Sequence, residues 1–141
     1  MVAGVLVVAS LLGVVGGVRN IVFRRTSADT VAATIVAEGG KPGDLVAYCP
    51  DQLGPDVTRV LPAGFTEVTF PDFADPRIVD WVDYGTRMEA ADPVAFGQEL
   101  LERSRGRTIW YVWMPGYRTL DKKCERINDT LGHARPTNRQ L

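Results

Sequence analysis

Hydrophobic and polar positions divide this chain into an uncharged leader and an alternating body. Residues 2 to 18 (VAGVLVVASLLGVVGGV) carry no charge. A run of roughly 18 apolar residues is near the lower limit for a helix that crosses a bilayer. Its Val and Gly would serve poorly in a water-soluble helix, but in hydrocarbon the backbone must bond to itself. A cleavable signal would place basic residues before the apolar stretch, where only Met1 stands. A buried core helix would need a larger surrounding domain than the remaining residues supply. The expected organisation is a transmembrane helix over 1–18, a basic juxtamembrane segment over 19–25, an α/β domain over 26–135 and a flexible tail over 136–141.

Within the body, Thr26 and Ser27 resemble a helix cap, and Ala28, Val31, Ala32, Ile35 and Val36 recur on one helical face before Gly39-Gly40. Lys41-Pro42-Gly43 forms a turn, and the apolar run LVAYC that follows Asp44 suits a strand buried on both faces. Gly54 to Leu61 predicts a short helix with Pro55 in its first turn, and Thr66 to Phe70 alternates as a second strand. Asp92-Pro93 is a strong helix start, Phe96, Leu100 and Leu101 give that helix its apolar side, and Gly106 stops it. Thr108 to Trp113 (TIWYVW) is β-branched and aromatic throughout, a third strand. Thr119 is placed to cap a closing helix striped by Leu120, Cys124, Ile127 and Leu131, ending at Gly132. Short buried strands alternating with helices imply a small, three-layer, Rossmann-like α/β domain with a short parallel sheet, here preceded by one transmembrane helix.

From Pro71 to Ala91 the periodicity lapses. A connection of that length without regular structure is uncommon in a compact domain and is often functional. Pro76 to Tyr84 is expected to form a helical turn or two with Ile78, Val79 and Val82 inward.

Composition removes several classes. With 16 basic and 17 acidic residues and a formal net charge of −1, the chain has no nucleic-acid footprint. Two signals about sidedness disagree. Arg19, Arg24 and Arg25 follow the apolar run and would hold the body in the cytoplasm, whereas Cys49 and Cys124, an even pair without metal-binding spacing, suit a disulfide in an oxidising compartment. Two unrelated buried thiols fit the composition equally well. A disulfide there would close a long loop, worth roughly 4 kcal/mol in the chain-entropy account.

Candidate chemistry is sparse. Open parallel sheets bind ligands beyond the carboxyl ends of their strands. That rule points to Tyr48, Cys49, Pro50, Asp51 and Gln52 after the first strand and to Pro71 and Asp72 after the second. After the third it points to Trp113, Met114, Pro115, Gly116, Tyr117 and Arg118. Of these, Tyr48, Asp51, Gln52, Asp72, Trp113, Tyr117 and Arg118 could line a ligand crevice, with rings packing on a sugar face and polar groups meeting its hydroxyls. The competing reading is turns and core. His133 is the single histidine, with no nucleophile pattern to serve. No nucleophile elbow, phosphate-cradling loop or metal spacing appears, so neither a cofactor nor a metal site is expected. Carboxylates between Asp72 and Asp92 read as a solvated surface rather than a cation site, and Asn128-Asp129-Thr130 matches only a three-residue sequon.

The phrases GDLVAYCPDQLGPDVTRVLP, FPDF, VDWVDY and TIWYVWMPGYRT, between Gly43 and Cys124, resemble the C-terminal extracytoplasmic domain of actinobacterial multi-pass membrane glycosyltransferases. These belong to the superfamily of protein mannosyltransferases. The resemblance implies an enzyme that uses a polyprenyl-phosphate sugar and keeps its acidic catalytic residues in an early loop between membrane helices. No such loop is present in this sequence, so no catalytic residue carries over. The chain therefore resembles the end of such an enzyme, as a fragment or a detached reading frame. Implied partners are membrane lipid, a multi-pass transferase and a glycan acceptor, and the implied location of the body is outside the cytoplasm, which favours the disulfide. The alternative function is an envelope interaction module that binds a protein through Pro71 to Ala91.

Overall fold

A computed structural model describes residues 27–117, 120–134 and 139–140. The expected membrane helix, the basic segment 19–25, Arg118, Thr119 and the His133 side chain lie outside the described residues. Among the described residues no helix is long and apolar enough to cross a membrane.

The body is α/β. Helix α1 (Ala28–Ala37) leads into β1 (Leu45–Cys49), a 3-10 turn (Asp51–Leu53) and α2 (Gly54–Thr58). Next come β2 (Thr66–Thr69), α3 (Tyr84–Ala90) and α4 (Pro93–Ser104). The chain closes with β3 (Ile109–Trp113), α5 (Asp121–Ala134) and a two-residue strand β4 (Arg139–Gln140). Strand order is β2-β1-β3-β4, with Ala47 beside Val68 on one side and Tyr111 on the other, all in parallel. Arg139–Gln140, in the segment expected to be a tail, pair with Trp110 and Tyr111.

Alternation along the buried strands feeds two cores. Val46, Tyr48, Trp110 and Val112 pack with Ala28, Ala32 and Ile35 of α1 and Val57 of α2. On the opposite face Leu45, Ala47, Cys49, Ile109 and Tyr111 meet Phe96 and Leu100 of α4 and Cys124, Ile127 and Leu131 of α5. Cys49 and Cys124 form a disulfide with Cα atoms 5.7 Å apart, joining the end of β1 to α5. Two aromatic polar groups are paired inside these layers, while Asp44 Oδ1 is buried with no hydrogen-bond partner among the described residues. Trp110 Nε1 donates to Asp44 Oδ2 at 3.2 Å, and the Tyr111 hydroxyl donates to the Cys124 carbonyl at 2.9 Å.

Caps mark where sequence logic held and where it did not. Asp92 caps α4, its Oδ1 accepting from the Val94 and Ala95 amides at 2.8 and 3.2 Å. Ser27 occupies the cap position of α1 but its side chain caps nothing. Gly39, at φ 96°, turns the chain out of α1 in the left-handed region that glycine tolerates. Val36, expected on the inner face of α1, is 47% exposed.

The largest departure lies between β2 and α3. The helical turns expected over 76–84 do not form: the helix, α3, begins only at Tyr84, and Ile78 and Val82 stand 68% and 70% exposed. Carboxylates are the reason. Asp75 Oδ1 accepts from the Arg77 amide and Asp80 Oδ1 from the Val82 amide, both at 2.9 Å, local turns that compete with helical bonding. Asp83, at φ 51°, then turns the chain into α3. Pro76 supplies the inward contact instead, buried against Gly54.

Candidate functional site

β1 and β3 leave the sheet side by side, and short-range bonding holds the connection after each strand in place. After β1 the chain passes through a cis Cys49–Pro50 bond into the 3-10 turn that carries Asp51 and Gln52. After β3 the loop 114–117 is gathered by Asp121, whose Oδ1 accepts from the Gly116 and Tyr117 amides at 3.1 and 3.0 Å. The Tyr117 carbonyl in turn accepts from the Leu120 and Asp121 amides at 2.7 and 3.0 Å. Tyr117 is thus fixed at the start of α5.

Between these two edges and the first turn of α1 lies a crevice of about 400 Å³. Gln52 and Asp56 give it polar groups, while Val31, Leu53, Met114 and Tyr117 contribute apolar and aromatic surface, with Trp113 also on its wall. Its position is a consequence of topology. The chain adds β2 on one side of β1 and then crosses to add β3 on the other, so the crevice sits where the strand order reverses. Ligand sites of open parallel sheets form at that place because the connections on either side diverge and leave a gap.

Behind the crevice stands a polar relay. Gln52 Nε2 donates to the Tyr84 hydroxyl at 2.8 Å, and that hydroxyl donates to Asp51 Oδ1 at 2.8 Å. Burial pushes the Asp51 carboxyl above the ordinary carboxylate range, against the lowering effect of the Tyr84 hydrogen bond, nearby backbone amides and Arg87. Tyr84 is itself shifted upward, first by burial and then by its bond to Asp51, so it remains a donor at neutral pH. Gln52 Oε1 is buried with no hydrogen-bond partner among the described residues.

Of the seven crevice residues expected from sequence, the structure brings Gln52, Trp113 and Tyr117 into one lining and joins Asp51 to Gln52 through the Tyr84 hydroxyl. Tyr48 and Asp72 go elsewhere. Tyr48 is fully buried, because the alternation of β1 turns it with Val46 toward α1 and α2, where its hydroxyl donates to Glu67 Oε2 at 2.6 Å. Asp72 is ion-paired with Arg87 and does not line the crevice. Arg118 lies outside the described residues. Sequence reasoning missed Tyr84, Asp56 and Val31 as members of the site. Val31 and Asp56 each share a short helix with a turn's worth of core residues, and Tyr84 lies 32 residues from Gln52, so no local signal names it.

The other candidate chemistry is absorbed by structure. Asp72 and Asp80 pair with Arg87, Asp75 pairs with Arg77, and Asp92 serves as a cap. Among the described residues no group of three or more His, Cys, Asp or Glu is disposed to hold a metal ion. No family model, curated protein or solved structure matches this chain.

Proposed function

We propose that this chain is a membrane-anchored, extracytoplasmic domain of Rossmann-like type, related to polyprenyl-phosphate-sugar-dependent mannosyltransferases, that binds a glycan acceptor and performs no transfer by itself. The observation that carries the reading is the crevice at the strand-order reversal, with tyrosine, tryptophan and thioether surface beside Gln52 and Asp56. Sugars present apolar faces to rings and hydroxyls to amides and carboxylates. The apolar run 2–18 supports the anchor, and a disulfide that closes across the sheet is at home in an oxidising compartment. A packing or positioning role beside a multi-pass transferase belongs to the same reading.

The test uses the full chain in nanodiscs. Millimolar manno-oligosaccharide is expected to shift the Trp113 indole and Gln52 amide resonances, and Val31→Trp, which fills the crevice, is expected to abolish those shifts. Incubation with polyprenyl-phosphate mannose and acceptor is expected to give no product. Resonances indifferent to every glycan would remove the acceptor role, and turnover by the chain alone would remove the non-catalytic one.

A further inference from the structure

The segment between β2 and α3 is pinned to the core at both ends and turns Ile78, Trp81 and Val82 to solvent between them. At its base Phe73 stacks on Phe96 with ring centroids 4.2 Å apart, and the Arg103 guanidinium lies 4.1 Å over the Phe73 ring. Further along, Pro76 is buried against Gly54, and Arg87 donates to the carbonyls of Asp80 and Val82 at 2.6 and 3.3 Å. Between those anchors Ile78, Trp81 and Val82 are 68%, 65% and 70% exposed, with Trp81 leaning on Tyr84 at 5.1 Å. A loop that is pinned from within and apolar at its tip is built to meet another apolar surface.

Where the tip lies says which surface. Tyr84 joins it to Asp51 and Gln52, so the tip stands at the carboxyl-terminal edge of the sheet, the edge that also holds the crevice and the exposed Met114. α1 begins at that same edge, because Ser27 and Ala28 line the crevice. Only residues 19–26 separate Ser27 from the apolar run, and eight extended residues reach at most about 28 Å. A domain tethered so closely through this edge turns the edge toward the bilayer.

We infer that the domain rests on the phospholipid surface through this edge, with Ile78, Trp81 and Val82 in the interfacial layer and the crevice mouth at headgroup level. The inference rests on the membrane-anchored reading of residues 2–18. Tryptophan favours that layer because its ring is apolar and its indole N–H is polar. Residues 72–87 carry four aspartates against Arg77 and Arg87, a net acidic flank that suits a zwitterionic surface rather than an anionic one.

The full chain, reconstituted in phosphatidylcholine vesicles with and without acyl-chain-brominated lipid, tests this. Trp81 emission is obtained as the difference between wild type and Trp81→Phe. Bromolipid is expected to quench that component, and Ile78→Asp with Val82→Asp is expected to relieve the quenching while far-ultraviolet circular dichroism stays unchanged. A chain that floats with the vesicles while its Trp81 component ignores bromolipid overturns the docking and leaves the anchor standing. Trp81 protected by a captured protein, with no bromolipid quenching, also overturns it in favour of a protein partner. A chain that does not float with vesicles overturns the anchor and the inference together.

Discussion

Removing the Cys49–Cys124 cross-link is the perturbation whose size the structure fixes best. The bond joins the last residue of β1 to the first turn of α5 across 75 positions, a loop that contains the 3-10 turn, α2, β2, α3, α4 and β3. With that separation the chain-entropy relation gives about 4.5 kcal/mol at 25 °C, less whatever order the reduced unfolded chain keeps. Native domains are stable by about 5–15 kcal/mol, so the loss is a large share of the total. Both sulfurs are buried, so replacement by alanine would add a packing cost, whereas reduction in place removes the bond alone. The assay is urea unfolding of the full chain in micelles, followed by circular dichroism, oxidised and after complete reduction. The reduced protein is expected to lose about 4 kcal/mol and to show a steeper denaturant dependence, because its unfolded state exposes more surface. Cys49→Ala/Cys124→Ala is expected to fall further. Equal midpoints and slopes for the oxidised and reduced forms would refute the reasoning.

The site gives further expectations. Tyr84→Phe leaves Asp51 and Gln52 each without the hydroxyl that joins them and is expected to cost about 1–3 kcal/mol in the same unfolding assay. Because the folded-state pKa of Asp51 is raised, its ionised form opposes folding. Stability is therefore expected to rise as pH falls through that value toward the ordinary Asp range near about 3.9, and the wild-type minus Asp51→Asn difference in urea midpoint isolates the effect. Tyr48, Tyr84 and Tyr111 all have raised values, chiefly from burial, so their contribution is complete below about pH 10 and is lost above it as the unfolded chain ionises. Absorbance at alkaline pH is expected to show these phenols ionising together with unfolding rather than before it. In Gly54→Ala the new Cβ would lie 2.7 Å from the Pro76 carbonyl and 2.9 Å from its Cβ, so the 71–83 segment must shift; a loss of about 1–3 kcal/mol with faster amide exchange in that segment is expected.

Sequence by itself determined the layers. LVAYC and TIWYVW are apolar at almost every position, too short for helices and rich in β-branched and aromatic residues, which suits strands covered on both faces, and the Asp92-Pro93 cap and the Leu120–Leu131 stripe specify helices that do the covering. It also led to Gln52, Trp113 and Tyr117, because position after a parallel strand is readable once the strand is. What only the tertiary structure decided is whatever depends on contacts distant in sequence. Cysteine spacing left paired and unpaired thiols equally open until β1 and α5 were packed together. Tyr48 left the crevice because side-chain direction within β1 is set by register against its neighbours, not by nearness to the strand end. The 71–83 segment was least legible. There short Asp-to-amide bonds oppose the helix that Ile78, Val79 and Val82 would predict, and the outcome is set by Pro76 on Gly54, Phe73 on Phe96 and Arg87 on the loop carbonyls. Local periodicity reports the face an element buries; which groups meet across that face is settled by packing, and the candidate site is made of such meetings.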